Sequence, residues 1–238
     1  MSDYSEYYAT RKPIKLAEPV IRFWHKRMLA IAGRYIPHLK SKTLLEIGAG
    51  HGFLADACQQ KKISYNGHEM NVEQANLLQL SGHQVSPATI PPIPAGEAAH
   101  IIWLSHVLEH ASNYTEAKEM LLACHQRLEP EGYVVIIAPD IYHWKEEFWS
   151  LDWSHGFPTS LVRVEQLLNE TGFTVFQSMH HTFTVTNALG AWFISTFFRF
   201  CLPKNILDYF FHRWTGHRFC NAFMSVFGLR QIYLIGKK

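Results

Sequence analysis

The segment Trp103 to His110 reads WLSHVLEH, and His106, Glu109 and His110 in it match H-x-x-E-H. Two histidines four residues apart share one face of a helix and can grip zinc, with the glutamate as base. Such a site also needs a third ligand downstream. Glu165 and Glu170 are available, but nothing in their surroundings marks them. Further along, Trp149-Ser150-Leu151-Asp152-Trp153-Ser154-His155-Gly156-Phe157 packs aromatics around an aspartate and a histidine. His155, helped by Asp152, is a candidate general base there, and His110 a second. The bland alternative is a lid held together by its tryptophans.

A second group of residues points to different chemistry. Glu46-Ile47-Gly48-Ala49-Gly50-His51-Gly52 follows the short apolar run Thr43–Ile47. Glycines at alternate positions let the chain turn sharply and let a ligand lie against the backbone. A helix starting near Phe53 would aim its amides and positive dipole end at that ligand. The spacing is G-x-G-x-G, not the dinucleotide G-x-G-x-x-G. Seventeen residues after Gly52 stands Glu69, at the end of the next apolar run. A carboxylate there can accept both hydroxyls of a ribose.

Positioning these residues takes a regular alternation of elements. Val20–Tyr35 has apolar residues at helical spacing and a basic face of Arg22, Lys26 and Arg27. Strands are expected at 43–47, 63–68, 82–89, 100–104, 133–138, 173–177 and 231–235. Helices are expected at 53–61, 72–80, 114–128 and 161–171. Alternation of this kind implies a parallel sheet covered on both faces, with ligands at the carboxyl ends of its strands. The chain has 238 residues, 47% hydrophobic and 18% charged, which suits one domain with a sizeable core. A net charge of +2 gives no reason to expect nucleic acid. Four scattered cysteines, with no C-x-x-C pair, argue against a disulfide framework and for a reducing cytoplasm.

At the motifs the chain resembles the class I S-adenosylmethionine-dependent methyltransferases, closest to the small-molecule branch that includes quinone-biosynthesis methyltransferases. LLEIGAGHGFLAD is similar to the family's first motif and GHEMN to its second. IIWLSHVLEHASN resembles the segment at the fourth strand, and LEPEGYVVIIAPD the fifth. GFTVFQS and RQIYLIGKK resemble the last two strands. The resemblance covers roughly 43–178 plus the C-terminal strand. It implies an α/β, Rossmann-like, seven-stranded, mostly parallel sheet with an antiparallel last strand, and S-adenosyl-L-methionine as cofactor. It also implies roles. Gly48, Gly50 and Gly52 would lie against the cofactor, and Glu46 would orient that loop. Glu69 would hold the ribose, Met70 would pack on adenine, and Ser105 and His106 would line the methionine end. The family's acid after the third strand is missing, and Thr89 or the backbone there is the substitute expected. A leucine-glutamate-histidine run is frequent in that family with no metal, so no metal is assigned.

Three domain-scale expectations complete the reading. Residues 1–40 form an N-terminal lid and helix, with Tyr4, Tyr7, Tyr8 and Arg11 either folded over the cofactor or part of an untethered tail. Residues 41–238 form the catalytic domain. Residues 182–229 form an apolar and basic insertion between the last two strands, either a helical cap or a membrane-facing hairpin. The function expected is methyl transfer to a small-molecule or lipid-linked acceptor, in the cytoplasm or peripherally on a membrane. The alternatives are a non-catalytic cofactor-binding module docking on a membrane or partner protein, and a metallohydrolase.

Overall fold

The computed structural model describes residues 18–182, 188–201 and 229–238, together with Arg213. Tyr4, Tyr7, Tyr8 and Arg11 lie outside the described residues, as does most of the insertion at 182–229.

The chain opens with helix α1 (Glu18–Tyr35) and a 3-10 turn (Leu39–Ser41). Strand β1 (Thr43–Ile47), helix α2 (Phe53–Lys61), strand β2 (Ser64–Glu69), helix α3 (Val72–Leu80) and strand β3 (Val85–Pro87) follow. Then come β4 (Ala99–Ser105), a 3-10 turn (Leu108–His110), α4 (Tyr114–Arg127) and β5 (Leu128–Pro139). Two short helices, α5 (Ile141–Trp144) and α6 (Glu147–Ser150), lead to α7 (Leu161–Glu170) and β6 (Thr174–His181). Helix α8 (Ala188–Cys201) precedes the final strand β7 (Gln231–Lys237).

The seven strands form one sheet in the order β3-β2-β1-β4-β5-β7-β6. β1 pairs in parallel with β2 and β4, while β7 runs antiparallel between β5 and β6. Side chains alternate across a strand, so the central strands must be apolar on both faces. In β4, Ile101 and Trp103 pack under α1 and α2, with Trp24, Met28 and Leu54. Ile102 and Leu104 pack on the opposite face against Met120, Leu121 and Leu167 of α4 and α7. The order reverses between β1 and β4, which places the ligand-binding crevice at their carboxyl ends.

Helix starts follow their capping residues. Asn71 Oδ1 accepts the Gln74 amide at 2.8 Å to start α3, and Ser160 Oγ accepts the Arg163 amide at 3.3 Å to start α7. On α1, the expected basic face is partly engaged. Arg22 bonds Glu18 at 2.9 Å and also reaches Asp56, tying α1 to α2. Strands β5 and β6 run longer than expected at their ends. Helices α5 and α6 are additions that the aromatic-rich sequence did not announce. Among the described residues, no helix is long and apolar enough to cross a membrane.

Candidate active site

The loop after β1 owes its shape to its glycines. Gly48, Gly50 and Gly52 have φ of 78°, 54° and 75°, the left-handed region that side chains resist. A Cβ on Gly48 would come within 2.8 Å of Val107 Cγ2, and one on Gly52 would run into Leu78. A Cβ on Gly50 would meet nothing within 4 Å, so open space lies over the centre of the loop. Gly52 sits at the N-cap of α2, whose first amides face the same way.

Glu69 braces this loop. Its Oε2 accepts the Gly50 amide at 2.7 Å and its Oε1 the Asn71 amide at 2.8 Å. The side chain is 6% exposed. Each carboxylate oxygen has a second lone pair, so the group can accept two further donors such as vicinal hydroxyls. Met70 follows, half-buried. Thr89 lies two residues beyond β3 and is exposed, while the neighbouring Ala88 amide bonds Glu69 O at 2.9 Å.

Glu46 lies beneath the loop, 2% exposed, and accepts the Tyr65 hydroxyl at 2.6 Å. Burial pushes its carboxyl up to about 8, against the opposing pull of the Tyr65 hydrogen bond. Tyr65 was not anticipated. Its position on β2, in register with Leu44 and next to the glycine strand, was the available signal.

Ser105 ends β4 and is half-buried. His106 takes the left-handed conformation at φ 56°, a strained position for a non-glycine residue. Its amide donates to Ile137 O at 2.9 Å, and its Nδ1 lies 3.1 Å from Glu109 Oε1. Trp24 of α1 leans over it, with ring centroids 6.4 Å apart. The H-x-x-E-H residues therefore do not share a helix face. His106 is outside the 3-10 turn that holds Glu109 and His110.

Glu109 is wholly buried. Burial alone would raise its pKa, but the His106 hydrogen bond and the fields of His106, His110 and His155 outweigh it, and the net shift is downward. Burial is the main influence on His110 and lowers its pKa, with Glu109 opposing.

The loop after α6 closes on this turn. His155 stacks edge-on to His110 at 5.0 Å and against Phe148 at 4.6 Å. Asp152 and His155, expected to work together, have different side-chain partners. His155 Nδ1 bonds Phe148 O at 2.5 Å, whereas Asp152 Oδ1 accepts the Ser154 amide at 3.0 Å and its hydroxyl at 2.7 Å. Ser154 Oγ in turn lies 2.7 Å from His110 Nδ1. Asp152 therefore acts on His110 through Ser154, because an aspartate readily bonds backbone two residues on. Among the described residues, Glu109, His110 and His155 are the group whose ligand atoms, all within 4.8 Å of one another, suit a metal. Asp140, after β5, is engaged by His180 Nε2 at 2.9 Å and caps α5 through the Tyr142 amide at 3.2 Å.

A cavity of about 480 Å³ lies elsewhere, along β1 to β3, with Arg127 in its lining. It lacks the glycine loop and the carboxyl ends of the central strands, so the chemistry is assigned to the crevice.

The sheet order, the antiparallel last strand, the glycine loop and the acid ending β2 together define a Rossmann-like methyltransferase. The chain belongs to the methyltransferase domain family, whose model matches residues 16–178. No curated protein matches the chain. Solved structures share its fold at low identity. A SAM-dependent methyltransferase from Archaeoglobus fulgidus is 18% identical with a TM-score of 0.57, covering 90% of this chain and 94% of its own. Mycolic acid cyclopropane synthase CmaA1, complexed with SAH and CTAB, is 16% identical with a TM-score of 0.60, covering 89% and 83%. Coclaurine N-methyltransferase, bound to N-methylheliamine and SAH, is 14% identical with a TM-score of 0.60, covering 90% and 72%. The protein is an S-adenosylmethionine-dependent methyltransferase. The open space over Gly50 and the bracing carboxylate of Glu69 fit that cofactor.

Proposed function

We propose that the enzyme methylates a small-molecule or lipid-linked acceptor, quinone-like rings among them, which meets the cofactor at the turn after β4. The cofactor supplies an activated methyl group. The protein's task is alignment, exclusion of water and, for an oxygen nucleophile, handling of a proton. In this reading Gly48, Gly50, Gly52, Glu69, Met70 and Thr89 hold the adenosyl part, while Glu46, Ser105 and His106 serve the methionine end. A cation in the loop would restore the charge on Glu46. The acceptor faces the group made by His110, His155 and the Asp152–Ser154 relay.

The observation that carries the acceptor class is α8. Leu189, Trp192, Phe193 and Phe197 are 83%, 54%, 66% and 50% exposed on a helix that packs against β6. A large apolar face of this kind marks a surface for lipid or an apolar partner. Mycolic acid cyclopropane synthase CmaA1 offers a fold-level parallel for lipid-type acceptors. The test is incubation of pure protein with methyl-tritiated S-adenosylmethionine and total lipid or polar metabolite extracts. Label recovered in an organic-extractable product, and lost with Asp152→Asn, is expected. Label confined to polymeric material such as protein or nucleic acid would contradict the reading.

A further inference from the structure

The structure assigns a binding site for one divalent transition-metal ion of the zinc type to Glu109, His110 and His155. These residues join the turn after β4 to the loop after α6, and their ligand atoms all lie within 4.8 Å of one another. The set differs from the H-x-x-E-H reading of the sequence, because His106 points its Nδ1 at Glu109 and His155 takes the third place.

Three features mark a built site. Glu109 is 0% exposed, and among the described residues its Oε2 has no hydrogen-bond partner. A buried carboxylate oxygen without a partner carries a desolvation cost that a bound cation removes. Next, both imidazoles are oriented from behind. His155 Nδ1 meets Phe148 O, a pure acceptor, so Nδ1 carries the hydrogen and Nε2 the lone pair. Ser154 Oγ gives its hydrogen to Asp152, so it accepts from His110 Nδ1, and His110 Nε2 also carries a lone pair. Ligand histidines are characteristically held through the far nitrogen by a carbonyl or carboxylate in this way. The two imidazoles also lie together across the turn and the loop, with ring centroids 5.0 Å apart.

Ligand lengths of about 2.0–2.2 Å put the donors of a bound ion roughly 3–3.5 Å apart. Small side-chain rotations from the present spacing would close the site. Two imidazoles and one carboxylate favour zinc and its neighbours over magnesium, which prefers oxygen ligands. Three protein ligands leave a position open for water or an acceptor oxygen. The ion would also fasten the 151–160 loop to the β4 turn. Its binding does not depend on which acceptor is methylated.

The test uses the full chain stripped with a chelator and titrated with Zn²⁺ against a chromophoric competitor. Stoichiometry is read after gel filtration, and S-adenosylhomocysteine binding in the same samples reports folding. One tight zinc per chain is expected, weakened at least about 10-fold by His155→Gln and by Glu109→Gln. His38→Asn, an exposed control, should change nothing. With Co²⁺, wild type should show visible bands of a low-coordinate site, and His155→Cys should add thiolate charge transfer. Equal zinc affinity in wild type and His155→Gln, no tight zinc in wild type, or no new band in folded His155→Cys would overturn the assignment. Cofactor binding without zinc would leave the methyltransferase reading untouched.

Discussion

Replacing Glu69 with glutamine probes the cofactor cradle more sharply than any other single change. The carboxylate accepts two backbone amides, from Gly50 at 2.7 Å and Asn71 at 2.8 Å. A glutamine has one carbonyl oxygen, so its NH2 must face one of those donors. Leaving a buried donor without an acceptor costs about 1–3 kcal/mol. The second loss falls on the ligand. Two ribose hydroxyls bonded to a charged acceptor contribute about 1.5–3 kcal/mol each. The remaining carbonyl can still accept one hydroxyl, so losing the other removes about 1.5–3 kcal/mol, or roughly 10–10²-fold in affinity. The assay is calorimetric titration with S-adenosylhomocysteine, paired with denaturant unfolding. Glu73→Gln, on an exposed acid in the first turn of α3, should leave both unchanged. Binding by folded Glu69→Gln within about 3-fold of wild type would refute the assignment of Glu69 to the ribose.

Other outcomes follow from the same geometry. Gly52→Ala forces a side chain into φ 75° and against Leu78, and should lower stability by about 1–3 kcal/mol in urea melts. Glu46 holds its proton more tightly folded, at about 8, than unfolded, at 4.5. Its contribution to stability is therefore complete below about pH 4.5 and is lost as pH rises toward 8, by up to about 1.4 kcal/mol per unit. Glu46→Gln should flatten that slope, and an unchanged pH profile of unfolding would show that the carboxyl is not the source. The double change Trp192→Ser and Phe193→Ser should abolish flotation with liposomes if α8 meets lipid, and unaltered flotation would rule that face out.

Much of the fold was legible because its signals are local. A chain that must turn at positive φ three times in five residues needs glycine, and Gly48, Gly50 and Gly52 declare it. Likewise β4 and the 133–138 part of β5 are apolar on both faces, which only a covered strand tolerates. The start of β5 at Leu128 was hidden, since Glu-Pro-Glu-Gly reads as a turn. Leu128 nonetheless pairs with Ala99 across an irregularity in the ladder. Strand β6 continues through Ser-Met-His-His because β7 supplies its partners, a tertiary fact absent from local pattern. At the site, spacing exposed Glu69 but not its double duty toward Gly50 and Asn71. The aromatic loop suggested His155 helped by Asp152, and spacing alone could not show that the Asp152 side chain bonds Ser154, which meets His110. Glu109 looked like part of a helical zinc motif, and its burial beside three histidines comes from a loop forty residues on.

Cofactor binding at the glycine loop is the central prediction. Calorimetry of the wild-type chain with S-adenosylhomocysteine should show one site per chain, lost in Gly50→Val, whose side chain would fill the space over the loop. Absence of binding to wild type, or undiminished binding to Gly50→Val, would contradict it.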